Sequence, residues 1–303
     1  MISASASISP PLPPVIKKMT HDEALAWLRS RPEYADTVRD SYWSSDVHES
    51  ASSFSSSAEF AEVCAIAGSR IPGGTIVDLG AGRGIASWAF ARRGANLIYA
   101  IEPDSSPAVG RGAIIQLCAA QPVSVIDAVG EDLPLGDSSV DLVYARQVLH
   151  HTQSLARVLR EIARVLKPGG MFIGCREHVV DNRRQLEEFL DRHIMHRLAG
   201  GENAYRLSEY TAAISGAGLE LIYRLGPWDS VVNAFPGVRS QQELQQYPRT
   251  LLISRFGKFG DYLSRAPLVT ALVRARLNRR IPGRPYSFVA VKPAESRNLG
   301  LCR

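Results

Sequence analysis

Two hydrophobic periodicities divide the chain. From Thr20 to about Gly68 apolar residues recur at helical spacing, with Ala24, Leu25 and Leu28 on one face and Phe60, Val63, Cys64 and Ala67 on another. Thr20 followed by Glu23 has the spacing of a capping box, and the Ser-rich stretch Ser50 to Ser57 separates two helices. Beyond it, short apolar runs alternate with turns and amphipathic stretches. Thr75–Leu79, Leu97–Ile101, Val123–Val129, Val140–Ala145 and Met171–Cys175 predict five strands. Leu155–Leu166 predicts a helix stopped by Lys167-Pro168-Gly169-Gly170. Strands alternating with helices at this spacing imply right-handed crossovers and a doubly wound, mostly parallel sheet. Leu219–Leu225 and Tyr286–Val291 complete a seven-stranded, Rossmann-like α/β fold. The predicted division is a disordered leader over 1–18, a helical cap over 19–70, a core over 71–225, a helical insertion over 226–285, and the last strand with a tail over 286–303.

Composition narrows the class. Hydrophobic residues at 45% and charged residues at 21% are those of a globular chain and exclude wholesale disorder. No apolar run reaches the roughly 20 residues of a membrane-spanning helix, and Met1 to Pro14 lacks the basic and apolar regions of a secretory signal. Cys64, Cys118, Cys175 and Cys302 lie far apart without paired ligand spacing. That argues against a disulfide framework or a metal site and fits a reducing, cytoplasmic setting. Charge is uneven: of a net +5, Val238 to Arg284 carries ten basic residues against Glu243 and Asp261, which leaves the rest mildly acidic.

The candidate chemistry begins where the first strand ends. Gly80, Gly82 and Gly84 permit positive φ and let a ligand lie against backbone N–H groups at a helix start. A dinucleotide fingerprint needs glycine at position 85, which is Ile85 here. Asp78, at the mouth of this turn, repels a phosphate but suits a cationic amino group. Glu102, about 20 residues past the glycines, ends the second strand where an acid accepts both ribose hydroxyls. Without a ligand, the same residues make a tight turn and a helix cap.

With these pieces in order, the chain resembles the class I S-adenosylmethionine-dependent methyltransferases, particularly the type 11 group. The resemblance rests on Val77 to Gly84, Ile101 to Asp104, Gly130 to Leu135, Val140 to Ala145, Val148 to His151 and Val165 to Met171. It implies S-adenosylmethionine as cofactor, with its ammonium on Asp78, room for it over Gly80, Ala81 and Gly82, its ribose on Glu102 and its adenine beside Pro103. The type 11 group usually shows Asp-Ala before its Glu-x-Leu-Pro stretch, and this chain has Val129-Gly130. Gly130, Glu131 or Asp132 is left to serve the adenine.

Ligands in such sheets sit outside the carboxyl ends of the strands. The segment after the fourth strand offers Arg146 and Gln147 on the cofactor side, with His150 and His151 as candidate bases; after the fifth come Arg176, Glu177 and His178. A histidine is the ready base for an alcohol or phenol acceptor, because its ordinary pKa is about 6.5. The bland alternatives are a structural role for one of the His150-His151 pair and a polar packing role for Glu177-His178. Tyr205, Trp228 and Asn233 are further acceptor candidates, although Gly201 to Tyr210 also reads simply as a helix start. Tyr42, Trp43, His48 and Phe54 form either a lid over the cofactor or part of the core.

The stretch Pro267 to Arg280 predicts a helix with Leu268, Val269, Leu272, Val273 and Leu277 as an apolar stripe and Arg274, Arg276, Arg279 and Arg280 at its end. It serves either as a surface helix meeting an anionic or lipid-linked acceptor at a membrane face, or as a packed helix with a solvated basic edge. No nucleic-acid motif accompanies it. The sequence therefore predicts methyl transfer, oxygen ahead of nitrogen or carbon, to a small-molecule, sugar or lipid-linked acceptor. The competing classes are a nicotinamide-dependent oxidoreductase and a scaffold that keeps the fold without the chemistry.

Overall fold

A computed structural model describes residues 12–278 and 281–294. The strands are β1 (Thr75–Leu79), β2 (Leu97–Ile101), β3 (Val123–Ile126), β4 (Val140–Arg146), β5 (Leu166–Val180), β6 (Tyr205–Arg206), β7 (Glu220–Leu225) and β8 (Arg284–Val291). The sheet runs β3-β2-β1-β4-β5-β8-β7, with the short β6 paired to the far end of β5. Pairings among β1 to β5 are parallel, and β8 lies antiparallel between β5 and β7. The carboxyl ends of β1, β2, β4 and β5 therefore share one edge, where the functional loops leave the sheet. Both faces are covered, which is why the central strands read as continuous apolar runs. Val77, Leu79, Val143 and Phe172 belong to one buried cluster and Ile76, Leu142, Tyr144 and Ile173 to the other.

Two strand ends depart from the sequence pattern at the functional edge. β3 stops at Ile126 rather than Val129, because its pairing with β2 ends at Ile101 opposite Ile126. Residues 127–130 are freed to bend away from the sheet. β5 continues past Cys175 to Val180. A register shift against β8 between Gly174 and Glu177 absorbs Arg176 at φ 59°, and pairing then resumes with Glu177 opposite Tyr286 and His178 opposite Pro285. This bulge keeps Glu177 and His178 on a rigid element instead of a loop.

The N-terminal helices are α1 (His21–Arg29), α2 (Ala35–Asp40), α3 (Val47–Ser55) and α4 (Ala58–Ala67). The capping box at Thr20 and Glu23 forms as the spacing predicts. The end of the predicted leader is tied down: the N–H groups of Ile16 and Lys17 donate to the carbonyl of Arg197, and that of Met19, the first residue of the predicted cap, donates to Leu198. Residues 1–11 of that leader and 295–303 of the tail, with Cys302, lie outside the described residues. An aromatic chain of Tyr42, Phe54, Phe60, Phe90 and Tyr144, with centroids 5.1–5.3 Å apart, joins the cap to the sheet.

In the core, α5 (Ile85–Arg92), α6 (Arg111–Cys118), α7 (Leu155–Val165), α8 (Arg183–Arg192), α9 (Ile194–Leu198) and α10 (Leu207–Gly216) cross between the strands. The insertion holds α11 (Val231–Ala234), α12 (Gln241–Ser264) and α13 (Pro267–Leu277). Its first part docks, since Val231 and Val232 are buried. Gly257 at φ 56° breaks α12, and the chain doubles back so that Arg249 reaches Asp261 at 2.7 Å. The stripe on α13 does not pack on the core: no residue of that helix is buried, and Leu268 and Leu272 are 73% and 62% exposed. Arg279 and Arg280 lie outside the described residues.

Candidate active site

β1 delivers the chain into a turn in which Gly80, Gly82 and Gly84 all take left-handed φ, at 61°, 52° and 78°. A β-carbon on Gly80 would stand 2.6 Å from the Val148 side chain, so this position needs glycine twice over. Asp78 is buried and accepts a 2.6 Å hydrogen bond from the Ser87 hydroxyl. Burial pushes its carboxyl up to about 7, against the pull of the Ser87 bonds. Glu102 accepts the N–H of Gly82 at 2.7 Å and that of Asp104 at 2.9 Å, which pins it under the glycine turn. Burial raises its pKa, partly offset by those two N–H groups.

Above these residues lies a cleft with two lobes. The larger, about 490 Å³, is walled by Gly80, Glu102, Pro103, Asp104, Val129 and Gly130 among others. The smaller, about 340 Å³, is walled by Tyr42, Asp78, Ala81, Arg146, His150, His178 and His193. Trp43, Gly80, Gly82, Gln147, His151, Met195 and Glu202 border both.

Histidines crowd the smaller lobe around one carboxylate. His150 Nδ1 meets Glu177 at 2.7 Å, His151 Nδ1 meets the Gly201 carbonyl at 3.2 Å, and His178 Nδ1 meets the Gly283 carbonyl at 3.0 Å. A carbonyl can only accept, so His151 and His178 carry hydrogen on Nδ1. Glu202 faces His150 Nε2 at 3.5 Å, His151 Nε2 at 3.6 Å and His193 Nδ1 at 3.6 Å. Burial lowers the pKa of His151, His178 and His193. At His150 burial is outweighed by Glu177 and Glu202, which raise it to about 9. Burial opposes ionisation of Glu202 too, yet the surrounding imidazoles hold its carboxyl well below the usual range.

A family profile described as a methyltransferase domain matches residues 77–174. An uncharacterized methyltransferase of Mycobacterium sp. strain JLS is 30% identical over 195 residues, covering 55% of this chain and 73% of the relative. Dimethylglycine N-methyltransferase of Parasynechococcus marenigrum is 36% identical over 127 residues, covering 40% of this chain and 44% of the relative, so the chain spans under half of that protein. Among solved structures, an S-adenosylmethionine dependent methyltransferase from Mesorhizobium loti shares the fold at a TM-score of 0.52 and 17% identity, with 78% of this chain and 98% of that one covered. The chain belongs to the class I S-adenosylmethionine-dependent methyltransferases.

The residues of this methyltransferase fit the family's cofactor. S-adenosylmethionine supplies a methyl group on a positively charged sulfur. The buried Asp78 carboxylate, in the wall of the smaller lobe next to the Gly80 turn that both lobes share, suits the cofactor's ammonium. Glu102 spends two acceptor positions on backbone N–H groups, and an ionised carboxylate has about four, which leaves sites for a ribose diol. Gly80 lets the turn pack against Val148 while its backbone borders both lobes. Membership in this family sets aside the nicotinamide-dependent alternative, in keeping with Ile85 at the third glycine position.

Other predicted site residues are placed as follows. Pro103 and Gly130 line the larger lobe, as does Glu131, whose carboxylate also accepts the N–H groups of Gln153 and Ser154 at the start of α7. Asp132 borders neither lobe; its N–H donates to Val129. Arg146 lines the smaller lobe with its guanidinium held by Glu59 at 2.6 Å. Gln147, at φ 57°, borders both lobes. Glu177 is fully buried and accepts the N–H groups of Val148, Leu149 and His150, so it shapes the turn beneath the histidines.

The four residues expected on the acceptor side border neither lobe. Arg176 donates to the carbonyls of Val232 and Phe235, and Asn233 to those of Leu225 and Gly226; both anchor the insertion. The Tyr205 hydroxyl donates to Thr152, and Trp228 stacks on Tyr247 at 4.4 Å. In their place stand Trp43, His193, Met195 and Glu202. The usable signal for Glu202 was the preceding Gly200-Gly201 pair, both at left-handed φ, which turns the chain into the cleft.

Proposed function

We propose that this methyltransferase moves the methyl group of S-adenosylmethionine to an oxygen of a small acceptor, free or carried on a sugar or lipid. The observation that carries the proposal is the wall shared by the two lobes. His151 and Glu202 border both the space over Glu102 and Gly80 and the smaller lobe beside Asp78. A cofactor with its nucleoside in the larger lobe and its ammonium on Asp78 passes that wall with its reactive end, and an acceptor on the histidine side of the smaller lobe meets it across His151. Such a site works chiefly by aligning acceptor and methyl group and excluding water. The smaller lobe, at about 340 Å³, suits a small acceptor or one end of a larger one.

The test is S-adenosylhomocysteine release with S-adenosylmethionine and a panel of small hydroxyl, amine and carboxyl compounds, the methyl located by mass spectrometry. Oxygen-methylated product, with turnover lost in His151→Ala while S-adenosylhomocysteine affinity holds, is the expected result. Nitrogen-methylated product, the outcome that the name of the Parasynechococcus relative suggests, would overturn the choice of oxygen. Cofactor binding with no turnover on any compound would favour the scaffold.

The insertion supports a second part of the proposal, contact with an anionic membrane surface. Phe256, Phe259, Tyr262, Leu268 and Leu272 are exposed among Arg255, Lys258, Arg274 and Arg276. No helix among the described residues is long and apolar enough to cross a membrane.

A further inference from the structure

We infer that the wall between the two lobes is a divalent-metal site, formed by His150 Nε2, His151 Nε2 and the Glu202 carboxylate. The inference deepens the proposed function and rests on it for the role of the metal, although not for its binding. Glu202 is the centre. Its side chain is 8% exposed, and Oε2 has no hydrogen-bond partner. The two nitrogens facing that oxygen stand at 3.5 and 3.6 Å, too far for a good hydrogen bond. They stand at the right separation for neighbours on one ion: ligand atoms about 2.05 Å from a tetrahedral centre lie about 3.4 Å apart.

The outer contacts match as well. Metal-bound imidazoles almost always donate their other N–H to a carboxylate or carbonyl, which fixes the ring and turns its lone pair to the metal. His150 has Glu177 at 2.7 Å for this purpose and His151 has the Gly201 carbonyl at 3.2 Å. Glu177 is itself held by three backbone N–H groups. Three protein ligands at the border of an open cleft leave a fourth position for an acceptor oxygen, the pattern of a catalytic rather than a structural site. An imidazole and carboxylate set favours zinc and its first-row neighbours over magnesium or calcium. His178, His193 and Glu202 form a second trio around the same carboxylate, which makes it the rival location. The sequence gives no ligand motif here because the ligands come from the turn after β4 and the loop before β6.

The experiment is calorimetric titration of the chelator-treated full chain with zinc chloride, without cofactor or acceptor, supported by the visible spectrum of the cobalt(II) form. One equivalent bound by the wild type, weakened on the order of a hundredfold in Glu202→Gln and in His151→Ala, supports the site. A cobalt spectrum with nitrogen and oxygen ligation, altered in both variants, is expected alongside. Absence of stoichiometric zinc, or zinc binding unchanged by His151→Ala, overturns it. Binding lost in His193→Ala and kept in His151→Ala moves the metal to the rival trio and also overturns the assignment. His151 is 40% exposed, so its alanine variant carries the test if the more buried Glu202→Gln fails to fold. S-adenosylhomocysteine titrated into the same samples reports on the cofactor site separately. Zinc failing while the nucleotide binds sinks this inference and leaves the proposed function standing.

Discussion

At the scale of single residues, Asp78 is where stability and function pull apart. In the unfolded chain its carboxyl has the ordinary value of 3.8, and burial in the folded protein raises it to about 7. The protonated form's contribution to stability is therefore complete below about pH 4 and lost as pH rises through about 7, a cost of roughly 4 kcal/mol once both states are ionised. Asp78→Asn removes that cost. Its melting temperature without ligand should exceed the wild type's at pH 8 and converge on it toward pH 5. A cofactor ammonium needs the ionised carboxylate, so wild-type S-adenosylhomocysteine affinity should fall below pH 7 by up to about tenfold per unit. An affinity flat from pH 5.5 to 8 would contradict this role. Gly80→Ala meets both the Val148 side chain and an unfavourable φ. We expect a loss of about 2 kcal/mol in urea unfolding, together with weakened cofactor binding. Asp78, Gly80 and Glu102 were legible in the sequence because one strand–turn–helix unit and the next strand end place them locally. His193 and Met195 reach the cleft only through tertiary packing, and no local spacing announces them.

At the scale of elements, the strands were readable wherever burial on both faces made their pattern continuous, and misread where a loop or bulge serves the site. The end of β3 and the bulge of β5 are the two such places, and both open onto the cleft. The cap is bound to the core by a buried ion pair that sequence separation concealed: Glu59 on α4 is wholly buried and holds Arg146 at the end of β4. Glu59→Gln leaves that guanidinium without its counter-charge and should cost about 3–5 kcal/mol by denaturant unfolding. A change under 1 kcal/mol would mean that Arg146 finds another partner. Of the insertion's helices only α13 was foreseen in place, and not in its packing, since an apolar stripe does not say whether a core or a surface receives it; the sequence reading placed neither α11 nor α12. Vesicles containing phosphatidylserine should retain the wild-type chain at low salt and release it at high salt, with Leu268→Asp plus Leu272→Asp abolishing retention. Equal retention by neutral vesicles would contradict the electrostatic part.

At the scale of the whole molecule, one edge of the sheet gathers much of the lining of the cleft. The glycine turn and Glu102 come from β1 and β2, His150 and His151 from the turn after β4, His178 from β5, His193 from the junction of α8 and α9, and Glu202 from the loop that β6 ties back onto β5. The class of reaction was readable from the first two of these sources. The smaller lobe was not, because much of its wall comes from residues 41–43, α9 and that loop, segments far apart in the sequence. The measurement that tests the central claim most directly is calorimetric titration of the wild type and Asp78→Asn with S-adenosylhomocysteine, with NADH as the comparison ligand. One equivalent bound by the wild type with micromolar affinity, lost in Asp78→Asn, and no heat from NADH is the predicted result. Binding of NADH in place of the sulfur nucleotide, or S-adenosylhomocysteine binding indifferent to Asp78→Asn, would contradict it.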